Sequence, residues 1–199
     1  MAIDQKFIDQ FVNVTSKAAL ASYFLVGKKD KVGADKAAVD AMRNELNQLD
    51  INGEIVIGEG ELDEAPMLYI GEKVGTNNGL KIDIAVDPLE GTNFAANNLP
   101  GALSVIAITE KNNLFNAPET YMEKISAKVR EKGVIDLDYS VKKNIFNLSE
   151  YLNKKPEKIT ACILDRPRHK NIIDDLNKLG VSVKLINDGD VSGCLLVTN

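Results

Sequence analysis

Apolar residues recur at Phe7, Ile8, Phe11, Val12, Val14, Ala18, Ala19 and Tyr23, a spacing that predicts a helix from about Asp4 to Phe24. A second helix is predicted from near Asp35 through Ala38, Ala41, Met42 and Leu46 to about Leu49. The pattern then changes to short runs rich in Ile and Val, EIVIG at 54–58, KIDIAVD at 81–87 and ALSVIAITE at 102–110, which read as strands. Between the first two, APMLYIGEKVG reads as a short helix ended by a glycine. A further helix is expected around Ser140 to Asn153, and Pro156 marks a boundary. Beyond it, ITACILD, KNIIDDLNKLG and VSVKLIND form a strand, a helix stopped by Gly180, and a second strand. A crossover this short makes the two strands parallel. The predicted class is α/β, with domains at 1–155 and 156–199.

Composition narrows the partners more than the fold. The 199 residues are 44% hydrophobic and 27% charged, ordinary for a globular protein. With 24 Lys plus Arg against 29 Asp plus Glu, the net charge is −5, which argues against a nucleic-acid surface. No stretch approaches the roughly 20 apolar residues of a membrane helix, and MAIDQKFIDQ lacks the apolar segment of a signal peptide. A cytoplasmic protein is expected. Cys162 and Cys194 lie in the apolar runs ACILD and GCLLV and read as small core residues, not as a disulfide or metal framework.

Four stretches carry candidate chemistry. In IVIGEGELDEAP a strand runs into Gly58, Glu59, Gly60 and Glu61, then Asp63 and Glu64. The Gly-x-Gly invites a dinucleotide reading, but Asp63 stands where that fingerprint needs its third glycine, and a carboxylate repels pyrophosphate. An acidic surface turn is the plain alternative; against it, the acids follow directly on a strand end, where open sheets place their sites.

The second stretch, VDPLEGT, sets Asp87 and Glu90 around Pro88, which is predicted to stop the strand at Asp87. Gly91 lets the backbone turn closely, so that the Thr92 hydroxyl faces the same space. Clustered carboxylates repel one another, and a hard cation, Mg²⁺ or Mn²⁺, is the simple remedy. Asp35, the third candidate, reads either as an acid near a helix N-terminus or as a further ligand.

The fourth is the strand–helix–strand unit, whose strands end in Asp165-Arg166-Pro167-Arg168-His169 and Asn187-Asp188-Gly189-Asp190. Two guanidiniums there supply cations suited to a phosphate, unless they pair with Asp188 and Asp190. His169, the only histidine, reads as a loop residue, so a nucleophilic triad finds little support.

Together, GADKAAVDAMR, IVIGEGELDEAPMLYIGEKVG, DIAVDPLEGT, FNAPETYMEK, DRPRH and NDGDVSG resemble the class II fructose-1,6-bisphosphatases of the lithium-sensitive, metal-dependent phosphatase superfamily. The resemblance covers about Val14 to Asn199. It implies a layered α/β/α/β/α sandwich and a gluconeogenic hydrolase that removes the 1-phosphate of fructose 1,6-bisphosphate, using Mn²⁺ or Mg²⁺. Asp35 and Glu59 would hold one metal, Asp87 and Glu90 another, and Thr92 with Asp63 would orient the attacking water. Tyr121, Arg166, Pro167, Arg168, Asp188, Gly189 and Asp190 would hold the sugar and its 6-phosphate, while Glu90, Gly91 and Thr92 would touch the departing phosphate. The family's chains continue well past this one. The resemblance therefore implies a truncated chain with an incomplete second domain, short of a further glutamate ligand, and a homo-oligomer, dimer or tetramer. The alternatives are a noncatalytic sugar-phosphate-binding remnant and a related inositol or nucleotide phosphatase.

Overall fold

The computed structural model describes residues 5–60, 67–116 and 120–197. These form two compact units, Met1–Thr120 and Tyr121–Asn199.

The first unit begins with α1 (Gln5–Tyr23) and α2 (Lys31–Leu46), which pack on each other. Helix α2 starts four residues ahead of Asp35 because Asp30 caps it, its carboxylate accepting the Gly33 N–H at 2.8 Å. Asp35 therefore lies one turn inside the helix. A sheet follows, made of β1 (Ile51–Ile57), β2 (Lys73–Val74), β3 (Leu80–Glu90) and β4 (Leu103–Glu110) in the order β2-β1-β3-β4. Strands β1 and β3 are parallel; β2 and β4 flank them antiparallel. Phe11, Val14 and Ala18 of α1, and Ala38, Met42 and Leu46 of α2, are buried with Ile51, Ile55, Ile82, Ile84 and Val86 of the sheet. Each large side chain in such a core contributes about 1.5–3 kcal/mol.

Two expectations fail here, both for backbone reasons. Strand β3 does not stop at Asp87. It continues through Pro88 to Glu90, because an extra residue is accommodated between the pairs Asp87↔Val105 and Glu90↔Leu103. Such a bulge is where a strand tolerates proline. Nor do residues 67–75 form a helix. Ile70 donates to Gly60 (3.0 Å), Gly71 to Ile55 (2.8 Å), and Glu72 accepts from Ile55 (2.9 Å), so the segment runs through bends and a turn beside β1 and ends as β2. The buried Glu72 carboxylate organises this arm, accepting from the Leu68 N–H and, at 2.6 Å, from Arg43 Nε.

The second unit contains α4 (Val141–Leu152), capped by Ser140, then β5 (Thr160–Leu164), α5 (Lys170–Lys178), β6 (Ser182–Ile186) and α6 (Asp190–Leu195). A five-residue helix in the first unit, Thr92–Ala96, is α3. Strands β5 and β6 are parallel, as the crossover requires. Ile145, Ile159, Leu176 and Val181 form a small separate core. Helix α4, ahead of the predicted boundary at 155/156, packs against α5 within this unit. Cys162 and Cys194 are free, partly buried thiols. No helix among the described residues is long and apolar enough to cross a membrane.

Candidate metal centre

The carboxyl ends of the parallel neighbours β1 and β3 deliver acids to one place. A cavity of about 430 Å³ is lined by Asp35, Ile57, Gly58, Glu59, Val86, Asp87, Leu89, Gly91 and Thr92. Glu59 is placed by its own backbone, whose N–H donates to Leu68 O at 2.9 Å. Gly58 makes this approach possible, since a Cβ there would stand 2.0 Å from the same carbonyl oxygen. After the bulge, Gly91 adopts φ 79°, a left-handed turn that ends β3 and starts α3 at Thr92.

The electrostatics are those of crowded acids. Burial, a hydrogen bond with the Glu90 side chain, and the negative charges of Glu90, Glu59 and Asp35 push the Asp87 carboxyl up to about 8. Burial also raises the Asp35 carboxyl. By contrast, Asp83, two residues before Ala85 on the same strand, is buried but compensated. Burial raises its carboxyl, yet Lys111 at 2.8 Å and backbone N–H groups of the following loop lower it overall. Asp83 thus anchors the chain after β4 and takes no part in the cavity.

The three cavity acids, Asp35, Glu59 and Asp87, and Glu90, hydrogen-bonded to Asp87, are hard oxygen donors, a donor set that fits Mg²⁺ or Mn²⁺. Among the described residues, no group of three or more His, Cys, Asp or Glu side chains is set closely enough to hold an ion as it stands. Asp63 lies outside the described residues.

In the second unit, the motifs after β5 and β6 meet, Asp165 N–H donating to Ile186 O at 2.8 Å. Arg166 spans both strand ends, donating to Asp165 O (3.0 Å) and Asn187 O (2.8 Å). Arg168, one residue past Pro167, places its guanidinium 4.7 Å from the Tyr121 ring centre. Asp190 pairs with Lys124, and Gly189 turns the chain at φ 71° into α6. Asp188 lies in the same turn, and His169 contacts Leu164 O through Nδ1 at 2.7 Å.

Residues 5–199 match the family described as bacterial fructose-1,6-bisphosphatase, glpX-encoded. The chain belongs to that family. Fructose-1,6-bisphosphatase 1 class 2 of Escherichia coli (strain K12) is 50% identical over 187 residues, 94% of this chain and 56% of the relative. D-fructose 1,6-bisphosphatase class 2/sedoheptulose 1,7-bisphosphatase of Synechococcus sp. (strain CC9902) is 47% identical over 193 residues, 97% of this chain and 58% of the relative. The protein of the same description from Synechococcus elongatus (strain ATCC 33912 / PCC 7942 / FACHB-805) is 46% identical over 198 residues, 94% and 57% of the two chains. This member of the fructose-1,6-bisphosphatase family thus spans rather more than half the length of the curated relatives it matches.

Three residues that contact candidate site residues or the segment beside them went unseen in the sequence pattern. Lys124 sits in an irregular stretch and is recognisable only by its ion pair with Asp190. Arg43 and Glu72, 29 residues apart, brace the arm that receives Glu59.

Proposed function

We propose that the chain carries the metal-binding half of a sugar bisphosphatase that hydrolyses the 1-phosphate of fructose 1,6-bisphosphate to fructose 6-phosphate and phosphate. The observation that carries this reading is the convergence of Asp35, Glu59, Asp87 and Thr92 on one cavity where Asp87 is held protonated to about 8. In this reading Asp87 and Glu90 hold one divalent cation, and Asp35 and Glu59 hold another. Such cations supply positive charge to phosphoryl oxygens and acidify water.

The chain's own groups do the rest. Asp87, which holds its proton up to about pH 8, would have to release it to serve as a ligand. The Thr92 hydroxyl, fixed at the start of α3 by the Gly91 turn, orients the attacking water, with Asp63 as proton acceptor. Arg168, stacked on Tyr121, offers its guanidinium edge to the 6-phosphate. Arg166 spends two of its donors on strand-end carbonyls, so it chiefly holds the Asp188-Gly189-Asp190 turn in place for sugar hydroxyls.

Phosphate release from fructose 1,6-bisphosphate, with and without Mn²⁺, tests the reading in this chain and in one extended to the length of its relatives. Metal-dependent release in the extended chain is expected; none there would end the proposal. Binding of sugar phosphate without turnover in the shorter chain would assign it the noncatalytic role. Turnover of inositol monophosphate, indifferent to loss of Arg168, would point to the inositol phosphatase reading.

A further inference from the structure

We propose that Glu72, held by Arg43, fixes the position of Glu59 through the Leu68 peptide, and so is a positioning residue for the cation assigned to Asp35 and Glu59. The inference rests on the metal-centre reading of the cavity. Its starting point is Leu68, a fully buried leucine at φ 53°, in the left-handed region that L side chains rarely adopt. Backbone strain of this kind persists only where the surroundings over-determine it. Here both sides of the residue are tied. The Leu68 N–H donates to the Glu72 carboxylate, and Leu68 O accepts from the Glu59 N–H at 2.9 Å. The second Glu72 oxygen accepts from Arg43 Nε at 2.6 Å. A continuous set of hydrogen bonds thus leads from Arg43 through Glu72 and the Leu68 peptide to the backbone of Glu59.

The choice of a carboxylate shows what the brace serves. Glu72 is only 4% exposed, and a buried charge is a costly way to hold a turn. What it offers over a neutral amide is a second acceptor oxygen, one for the Leu68 N–H and one for Arg43, so that the turn is tied to helix α2. That helix also carries Asp35, eight residues before Arg43 and about 12 Å away along the axis. One rigid element therefore places both ligands of the same cation, Asp35 directly and Glu59 through Glu72 and Leu68. The fit leaves little slack. Ile70 N–H donates to Gly60 O at 3.0 Å on the far side of Glu59, and a Cβ on Gly58 would stand 2.0 Å from Leu68 O. A shift of the Leu68 turn is thus passed on to Glu59.

Glu72→Gln tests this with almost no change of shape. The new amide can accept from Leu68 or from Arg43, and turns its own N–H groups toward the other donor. The arm keeps its backbone bonds to Ile55, at 2.8 Å from Gly71 and 2.9 Å to Glu72 O, so the variant folds. In EDTA, amide exchange at Glu59 should quicken by ~10-fold or more while Ile84 in β3 keeps its rate. Mn²⁺ affinity, read by calorimetry, should fall ~10-fold, the effect of losing a partner behind a ligand. The double variant Arg43→Met/Glu72→Gln removes the competing donor, frees the amide oxygen for Leu68, and should restore both readings. A merely structural brace would lower the melting point and leave exchange at Glu59 and the Mn²⁺ Kd of the folded chain unchanged; that outcome overturns the inference. So does a double variant that recovers neither reading. A wild-type chain that binds no Mn²⁺ ends the metal-centre reading and this inference with it, whereas equal Mn²⁺ binding by wild type and Glu72→Gln ends this inference alone.

Discussion

Replacing Asp87 by Asn should make the metal-free chain more stable at neutral and alkaline pH while removing the Mn²⁺ response of the Asp87–Glu90 site. The Asp87 carboxyl is raised from its ordinary 3.8 to about 8, first by burial and then by Glu90, Glu59 and Asp35. The folded chain therefore keeps a proton that the unfolded chain loses near pH 4. Below pH 4 the group costs nothing. Stability then falls as pH rises from about 4 to about 8, above which the full cost of a buried extra charge is present. The slope for one proton is at most ~1.4 kcal/mol per pH unit, and the partial solvent exposure of Asp87 narrows the span over which it acts, so the net effect is a fraction of the full shift. Asp35, raised by burial, works in the same direction. Glu54 and Asp83, lowered overall, stabilise above pH 4 and lose their contribution only as pH falls further, so they do not confuse this window. Urea unfolding in EDTA at pH 5, 6, 7 and 8 should show wild-type stability declining and Asp87→Asn nearly level, with the variant ahead at pH 8 by roughly 1–2 kcal/mol. Saturating Mn²⁺ should reverse the order, since ~100-fold excess over Kd at that site adds about 2.7 kcal/mol only to the chain that keeps it. Parallel pH profiles, or an Asn variant less stable at pH 8, would refute the reasoning.

Gly58→Ala should cost on the order of 1–3 kcal/mol, because its Cβ meets the Leu68 carbonyl oxygen at 2.0 Å, and it should weaken Mn²⁺ binding by displacing Glu59; thermal melts with and without Mn²⁺ separate the two effects. Lys111→Met leaves Asp83 buried without its cation and should lower stability by about 3 kcal/mol in urea melts, with much of the loss recovered in the double variant Lys111→Met/Asp83→Asn. Arg168→Ala should raise KM for fructose 1,6-bisphosphate in the extended chain far more than it lowers kcat, by ~10-fold or more, because it removes a contact to a phosphate that does not react.

The parts of the fold legible in the sequence are those where a local pattern decides the outcome. The runs ITACILD, KNIIDDLNKLG and VSVKLIND each carry one period, and the structure places β5, α5 and β6 on them. Residues 67–75 were not legible because their conformation is set from outside, by backbone pairing to β1 and by Arg43 on a distant helix. The bulge at Pro88 was equally hidden, since only the register of β4 reveals that pairing resumes at Glu90. Helix α6 is six residues long and begins at a left-handed glycine, too short to show a period. In the site, Asp87, Glu90 and Thr92 are neighbours in the chain and were visible together. Asp35 and Glu59 reach the same cavity only because α2 lies on the sheet and β1 runs parallel to β3, so residue chemistry alone could not have joined them.

The central claim is that the cavity of Asp35, Glu59 and Asp87, with Glu90 beside it, is a divalent-cation centre, and calorimetric titration of Mn²⁺ at pH 7 in two buffers of different ionisation enthalpy tests it most directly. Binding is expected with release of close to one proton, the one held by Asp87 below about pH 8, and Asp87→Asn should lose that proton release together with the share of the heat that belongs to the Asp87–Glu90 site. Absence of binding, or binding that survives unchanged in Asp87→Asn, would contradict the claim.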